Sequence, residues 1–321
     1  MNLVTLRDAA LGWAGLKSKG ITLVLEPVNA CCCKCPSCSV SVLGARDGKK
    51  MTIETFRKVL DKLEREAGQV RVCHLYFKGE PTLNPDLHLF VEELTRRRIK
   101  SSVSTVLQTI KCDMRKLLAA GPSEFRVSFP GVNHIAKYQK GSPDRFLNNF
   151  YAVSVLPRHP KTRFVIFYQV YKTNQGFSMT HAKVMARQYG YDFIPVPAVH
   201  MVSEHIISRE YTKAERELIS DLIETPEESV ARMDTRSRYC YAWKSITLDA
   251  NADVYVCTLM YEDKYRIGNF LDTPLKELQR RQRAPVCNAC MESGNNVYQA
   301  CYEEFITHKD PVTGANRKRM K

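Results

Sequence analysis

The chain has 321 residues, 44% of them hydrophobic, and a formal net charge of +14. This length allows one large domain, or a medium domain with an appendage. No apolar run reaches the roughly 18–20 residues that a membrane span needs, and the N-terminus lacks a basic stretch followed by an apolar core. We therefore predict no membrane segment and no secretory signal, and we expect a cytoplasmic location.

Apolar periodicity predicts alternating strands and helices through the first two hundred residues. The strands are predicted over 21–26, 70–77, 101–107, 124–129, 163–171 and 191–196, and the helices over 52–66, 86–98, 113–120, 143–156 and 178–189. Six such units predict an α/β fold, with a parallel sheet and helices outside it. Functional residues are then expected at the carboxyl ends of the strands.

The alternation stops near residue 200. One amphipathic helix is predicted over 212–224, a β-hairpin over 245–248 and 253–256, and a short helix over 274–283. Cysteines flank both the hairpin and the last helix. We interpret this part as a separate, small, cysteine-rich module of hairpin and helix.

Twelve cysteines are many for a reducing compartment, where a disulfide framework is not expected. Metal ligation or catalysis is therefore the leading interpretation. Cys73, in the apolar stretch QVRVCHLYF, and Cys112 are instead predicted to be small buried hydrophobic residues. The positive charge favours an anionic substrate or partner, and a nucleic acid is one candidate. The alternative is that the basic residues are solvated helix ends and a basic tail.

The segment NACCCKCPSCSV follows the first predicted strand. Cys31, Cys35 and Cys38 have a C-x3-C-x2-C spacing, and three thiolates on one loop can hold three irons of a [4Fe–4S] cube. The fourth iron then stays open to a small molecule. Cys32 and Cys33 allow other triples, and a structural zinc site is the main alternative, although zinc normally takes four closed ligands.

A second set consists of Cys240 and Cys257, on either side of the predicted hairpin, and the Cys-x-x-Cys pair Cys287 and Cys290. Four thiolates complete the coordination of either a [4Fe–4S] cluster or a zinc ion. Their spacing alone does not choose between the two.

With a strand before the first cysteines and a helix after them, the chain resembles the radical S-adenosylmethionine (SAM) superfamily. LYFKGEPTLNPDL is similar to the glycine–glutamate segment of that family, with Gly79, Glu80 and Pro81 in place and Lys78 where a glycine often stands. The resemblance implies a partial (β/α)6 TIM-like barrel. It also implies a three-cysteine [4Fe–4S] cluster that binds SAM, with the glycine–glutamate segment at the amino group of the methionine moiety.

Three later segments add weaker matches. FRVSFPG resembles the family's ribose-contacting strand, with Ser128 as the hydroxyl. FYQVYKTN resembles the family's fifth strand, which ends in an asparagine, here Asn174. IPVPAV, which contains Val196, would supply the apolar edge that packs on the adenine. Turn or cap chemistry is the alternative for the polar residues. Ser37 stands where the family often has an aromatic residue.

The C-terminal region resembles the auxiliary-cluster module called SPASM, or its shorter version, twitch. The resemblance implies an auxiliary [4Fe–4S] cluster on Cys240, Cys257, Cys287 and Cys290. Ala252 occupies the usual place of a glycine, and Cys301 is expected to be a spare buried thiol. The predicted division is a barrel over 1–200, a helical connector over 201–231, the twitch/SPASM-like module over 232–303 and a basic tail over 304–321.

The resemblance implies an enzyme that cleaves SAM reductively to a 5′-deoxyadenosyl radical, which then abstracts a substrate hydrogen. A flavodoxin or ferredoxin type of donor would supply the electron. We expect an isomerase or oxidoreductase acting on a nucleotide-like or nucleic-acid substrate, such as a modified base. No catalytic side chain is singled out. The alternatives are a radical maturase of a peptide or of a sugar dehydrogenase, and a non-enzymatic zinc protein that binds nucleic acid.

Overall fold

A single nine-stranded sheet organises the computed structural model, which describes residues 20–44, 47–68, 70–232, 240–260, 262–296 and 298. The strand order is β6-β5-β4-β3-β2-β1-β7-β8-β9. The strands are β1 (Ile21–Leu25), β2 (Val70–His74), β3 (Lys100–Thr105), β4 (Glu124–Phe129), β5 (Arg163–Val170), β6 (Asp192–Pro197), β7 (Ser245–Leu248), β8 (Asp253–Tyr255) and β9 (Arg266–Asn269).

Strands β1 to β6 pair in parallel, each with the next along the chain. Because β6 and β9 are the two edges, the sheet is open and forms a partial barrel, as predicted. The helices are α1 (Ser39–Val42), α2 (Ile53–Ala67), α3 (Leu87–Arg96), α4 (Met114–Ala119), α5 (Ile135–Tyr138), α6 (Pro143–Ser154), α7 (Phe177–Gln188), α8 (Ser203–Ser208), α9 (Lys213–Asp221), α10 (Pro226–Arg232), α11 (Leu275–Arg281) and α12 (Val286–Glu292).

Helix α2 shows how the local sequence sets these elements. The Thr52 hydroxyl accepts a hydrogen bond from the Thr55 N–H at 3.2 Å, and this caps the first turn. Gly68, with φ 79°, ends the helix in a conformation that a side chain would disfavour. The fully buried residues between them repeat every three to four positions and pack on the sheet: Phe56, Val59, Leu60 and Leu63.

The two faces of the sheet carry separate hydrophobic clusters. In β5, Phe164, Ile166 and Tyr168 belong to the main core under the helices, whereas the alternate residues Val165 and Phe167 form a separate cluster on the inner face. In β4, Phe125, Val127 and Phe129 likewise join the main core. The alternation of a strand therefore places Arg126 and Ser128 on the inner face.

The C-terminal hairpin extends the barrel sheet. Strand β7 pairs in parallel with β1, from Thr22 opposite Ser245 to Leu25 opposite Leu248. The β7–β8 turn is closed by Ala252, whose φ is 62°, in the place where a glycine is usual. Main-chain hydrogen bonds therefore join the cysteine-rich region to the barrel, and the predicted domain boundaries stay a prediction.

Most predicted elements are present, with small shifts at their ends. The second strand stops at His74 instead of Phe77, and the helix predicted over 212–224 ends at Asp221. Strand β9 and helices α1, α5, α8, α10 and α12 were not predicted. Cys73 and Cys112 are buried, as expected. No described helix is both long and apolar enough to cross a membrane. Cys301 and the basic tail lie outside the described residues.

Candidate functional site

The loop after β1 carries five cysteines and ends at Cys38, which immediately precedes α1. The Cys38 N–H donates to the Cys35 carbonyl oxygen at 3.0 Å, which folds the loop into a tight turn. The segment after β6 fastens it from the other side, since the Met201 N–H donates to the Ser37 carbonyl oxygen at 2.9 Å. The Ser39 hydroxyl in turn donates to the Met201 carbonyl oxygen at 3.1 Å.

The thiols on this loop are not evenly spread. Those of Cys31, Cys32 and Cys33 lie within 4.8 Å of one another. Contact with the Cys32 and Cys33 thiols raises the pKa of Cys31, as expected for groups that cannot all ionise so close together. The Cys35 thiol points to the Gln139 carbonyl oxygen at 3.9 Å. The loop thus gathers more thiols than three irons require, and the triple of Cys31, Cys35 and Cys38 stays a prediction.

The segment after β2 packs directly on this loop. The Glu80 N–H donates to the Ala30 carbonyl oxygen at 2.8 Å, beside Cys31. A Cβ on Gly79 would lie 2.1 Å from the Val28 carbonyl oxygen, so only glycine allows this approach. The predicted glycine–glutamate segment and the cysteine loop therefore form one unit.

The Glu80 carboxylate is turned into the protein and is 3% exposed. It accepts hydrogen bonds from the Thr82 hydroxyl at 2.6 Å and from the Val106 N–H at 3.0 Å. Burial raises the pKa of this carboxyl group to about 7, although these hydrogen bonds act to lower it. Since these donors occupy the carboxylate, main-chain carbonyl groups of the segment are better placed to meet an ammonium group.

A buried glutamine connects the cysteine loop to β4. The Gln139 main-chain oxygen accepts from the Lys34 N–H at 3.2 Å, and its side-chain Nε2 donates to the Ser128 carbonyl oxygen at 3.0 Å. The side chain is 2% exposed, and its Oε1 has no hydrogen-bond partner among the described residues. No motif in the sequence marks Gln139. Its proximity to Cys35 depends on the chain returning to the loop after β4.

The two remaining predicted SAM contacts differ in character. The Asn174 side chain donates to the carbonyl oxygens of Pro130 and Gln169, both at 2.8 Å, and accepts from the Tyr171 N–H at 2.7 Å. These hydrogen bonds hold the turn after β5, so its role toward a cofactor stays a prediction. Val196 is fully buried on the inner face with Phe167 and Ile194, in apolar surroundings of the kind that an adenine ring requires.

The four distal cysteines come together from three elements. Cys240 precedes β7, Cys257 follows β8, and Cys287 and Cys290 lie on α12. All four line one cavity, whose other walls are mainly apolar and include Ala242, Val256, Leu259, Met260 and Val286. Burial raises the pKa of Cys257 to about 12 and that of Cys290 to about 11. Such thiols ionise readily only beside a strong positive charge, which a metal centre supplies.

The spacing of these four thiols bears on the choice of metal. Around one zinc ion, Zn–S bonds of about 2.3 Å hold tetrahedral thiolates roughly 4 Å apart. No three of the four described distal thiols lie within 4.8 Å of one another. The irons of a cube are spread out, so their thiolates stand further apart. The choice between a cluster and a zinc ion in this cavity stays a prediction.

Comparison with known proteins gives a family match for the first part of the chain. Residues 25–158 match the model of the Radical SAM superfamily. A PqqA peptide cyclase from Bradyrhizobium diazoefficiens is 31% identical over 115 residues, which are 35% of this chain and 29% of that protein. The chain thus matches less than a third of the length of this curated relative.

Solved structures extend the similarity across most of the chain. Streptococcus suis SuiB bound to S-adenosylmethionine has a TM-score of 0.56 and 16% identity, covering 89% of this chain and 72% of SuiB. SuiB bound to the precursor peptide SuiA has a TM-score of 0.57 and 17% identity, covering 89% of this chain and 70% of SuiB. Native anSMEcpe with bound AdoMet has a TM-score of 0.52 and 16% identity, covering 88% of this chain and 95% of anSMEcpe. At these identities the similarity shows the fold.

Proposed function

Since the chain contains a radical SAM domain, we propose that it is an enzyme that cleaves SAM reductively at a [4Fe–4S] cluster on Cys31, Cys35 and Cys38. We further propose an auxiliary [4Fe–4S] cluster on the four distal cysteines, Cys240, Cys257, Cys287 and Cys290. A cytoplasmic location and an electron donor of the flavodoxin or ferredoxin type are part of this proposal.

When bound, the cluster and SAM together supply the electron and the 5′-deoxyadenosyl radical that abstracts a substrate hydrogen. The chain's own residues bind and orient these groups. The cysteine loop supplies the thiolates, and the main chain around Gly79 and Glu80 receives the methionine moiety. Ser128 and Val196 line the inner face, where the nucleoside part would extend away from water.

The main-chain contact between Glu80 and Ala30 is the observation that carries the proposal. A binding segment for the methionine moiety must lie against the open iron, and this hydrogen bond fixes the segment to the residue before Cys31. The clash that a side chain at Gly79 would cause shows how closely the two segments pack.

The test is anaerobic reconstitution with iron and sulfide. The wild-type protein should bind about eight irons per chain and form 5′-deoxyadenosine from SAM when a strong reductant is present. The Cys35→Ala variant should lose the product and about half of the iron. Undiminished 5′-deoxyadenosine from this variant would contradict the ligand assignment. Cys73→Ala is the matched control, because that buried thiol lies in β2 and is not among the proposed ligands.

A peptide is the substrate class that we propose first. The support is the 31% identity with a protein named as a PqqA peptide cyclase. If a peptide is the substrate, deuterium from a labelled peptide should appear in 5′-deoxyadenosine. Candidate peptides can be taken from genes beside the one that encodes this protein.

A nucleotide or nucleic acid is the second candidate, favoured by the net charge of +14. A nucleic acid bound through its phosphates should lose affinity steeply as salt rises, because binding releases counterions. A duplex base would also have to be flipped out to reach the inner face. If the affinity for an oligonucleotide does not change with salt concentration, a nucleic-acid substrate is excluded.

A further inference from the structure

Two lysines are buried among the described residues, Lys62 and Lys78, and they differ in their partners. The Lys62 ammonium, on α2, donates to the carbonyl oxygens of Leu271 at 3.2 Å and Thr273 at 2.9 Å. It also lies 3.6 Å from the Glu66 carboxylate. Burial of a charge is unfavourable unless groups of opposite charge or polarity meet it, and Lys62 satisfies this condition within the protein.

Lys78 has no such partners. Its side chain is 8% exposed, and its ammonium forms no hydrogen bond or ion pair with the part of the chain that the structure describes. It lies over the Phe77 ring, with 5.9 Å between Nζ and the ring centroid. Nζ keeps some solvent-accessible surface. An external group can therefore reach this ammonium, whose N–H donors the aromatic ring alone does not satisfy.

The neighbours of Lys78 place the ammonium at the candidate site. The next residue, Gly79, packs on the cysteine loop. The preceding residue, Phe77, contacts Tyr255 of β8, with 6.3 Å between the ring centroids. Lys78 thus lies between the cysteine loop and the hairpin. The nucleoside part of SAM is assigned to the other direction from β2 in the sheet, toward β4 and β6.

The residue type at this position also separates Lys78 from the binding of SAM. A glycine often stands here in the family that the segment resembles, so the main-chain contacts expected with the methionine moiety need no side chain. The lysine of this chain adds a full positive charge with three N–H donors. Such a group suits an anionic oxygen group on the molecule that the enzyme modifies.

On the basis of the proposed radical SAM function, we propose that Lys78 Nζ binds an anionic group of the substrate, and that this group is a carboxylate of a peptide. A peptide is the substrate class proposed above, and carboxylates are the anionic groups of unmodified peptides. Lys78 thereby contributes to substrate specificity, because it holds the carboxylate beside the cysteine loop.

The first experiment uses the wild-type, reconstituted protein with S-adenosylhomocysteine in the SAM site. N-acetylglutamate amide offers a side-chain carboxylate, N-acetylglutamine amide is its neutral counterpart, and inorganic phosphate is a different anion. Calorimetry should show at least about tenfold tighter binding of the glutamate probe than of the glutamine probe, since only the former makes a charge-assisted hydrogen bond. Equal binding of these two probes would overturn the proposal. Tighter binding of phosphate than of the glutamate probe would overturn the assignment to a peptide.

The second experiment identifies Lys78 as the residue that binds the carboxylate. Lys78→Met removes the ammonium and should weaken binding of N-acetylglutamate amide about tenfold, with SAM affinity unchanged within about twofold. Lys58→Met is the matched control, because Lys58 is exposed on α2 and its loss changes the net charge equally. If the two variants bind the glutamate probe equally well, the proposal is wrong. It is also wrong if Lys78→Met loses affinity for SAM and free methionine but not for 5′-methylthioadenosine, which lacks the carboxylate.

Thermal unfolding separates a binding role from a structural one. Lys78→Met should unfold at the same temperature as the wild type or higher, because it removes a buried charge that has no partner. Lys62→Met should unfold at a lower temperature, because it leaves two carbonyl oxygens without their donor. A decrease for Lys78→Met as large as that for Lys62→Met would show a structural role and overturn the proposal.

Binding of SAM by the loaded wild-type protein is measured first. If the wild-type protein does not bind SAM, the proposed function fails, and the substrate role of Lys78 fails with it. If it binds SAM and does not distinguish the glutamate probe from the glutamine probe, only the role of Lys78 fails.

Discussion

The contact at Gly79 can be tested by adding one methyl group. In Gly79→Ala, the new Cβ would lie 2.1 Å from the Val28 carbonyl oxygen, and 2.9 Å from both the Ala30 carbonyl oxygen and Glu26 Oε1. Real Cβ atoms essentially never approach another heavy atom within 3.0 Å. Two of the three obstacles are main chain, which cannot rotate away as a side chain can. The two segments must therefore separate by about an ångström.

That displacement has a predictable cost. Overpacking of this kind destabilises by about 1–3 kcal/mol, and about 1.4 kcal/mol corresponds to a tenfold change in an equilibrium constant. Ala30 immediately precedes Cys31, so the movement reaches the cysteine loop. We expect Gly79→Ala to remain folded, to lower SAM affinity at least about tenfold, and to slow incorporation of the first cluster.

The assay compares SAM affinity, iron content and thermal unfolding of anaerobically reconstituted protein. Gly176→Ala is the control, because a Cβ there would meet nothing within 4 Å. The control should bind SAM as the wild type does. If Gly79→Ala binds SAM and iron like the control, the close packing of these segments does not shape the site, and the reasoning is refuted.

Three further predictions concern other parts of the molecule. Cys290→Ala should lose about half of the iron and keep its affinity for SAM. Loss of both would contradict the proposal that the two sets of cysteines form separate cluster sites. Burial, followed by the Arg126 guanidinium, lowers the pKa of His74 to about 4. The folded state then binds fewer protons than the unfolded state between about pH 6.5 and 4, so the free energy of unfolding should fall by about 3 kcal/mol as pH falls through that window. His74→Asn should flatten this dependence in chemical denaturation, and an unchanged slope would refute it. The Asn295 side chain donates to Cys290 Sγ at 3.4 Å, so Asn295→Leu should lower the reduction potential of the auxiliary cluster in a redox titration; an unchanged potential would show that this hydrogen bond does not reach the bound cluster.

The barrel could be read from the sequence because its pattern is local. Each predicted strand is a short apolar run, and each helix has an apolar face and a capping residue such as Thr52 or Ser142. These signals act within a few residues. The cysteine loop and Gly79 follow their strands closely, so the parallel order alone brought them to one edge of the sheet.

Long-range pairing was not predictable in the same way. The pairing of β7 with β1 joins segments more than 200 residues apart, and nothing in the short run Ser245–Leu248 specifies its partner. Gln139 was missed for the same reason. A glutamine after a short helix is unremarkable until the fold places it between Ser128 and the cysteine loop.

The hairpin also separates the two sets of cysteines along the sheet. Its turn meets the end of β1 that leads to the cysteine loop, since the Asn29 Oδ1 accepts from the Ala250 N–H at 2.8 Å. Cys240 and Cys257 lie at the opposite end, before β7 and after β8. The length of β7, four residues at about 3.3 Å each, separates the two ends. In the proposed enzyme, a substrate on the inner face would therefore have the SAM site at one end and the auxiliary cluster toward the other.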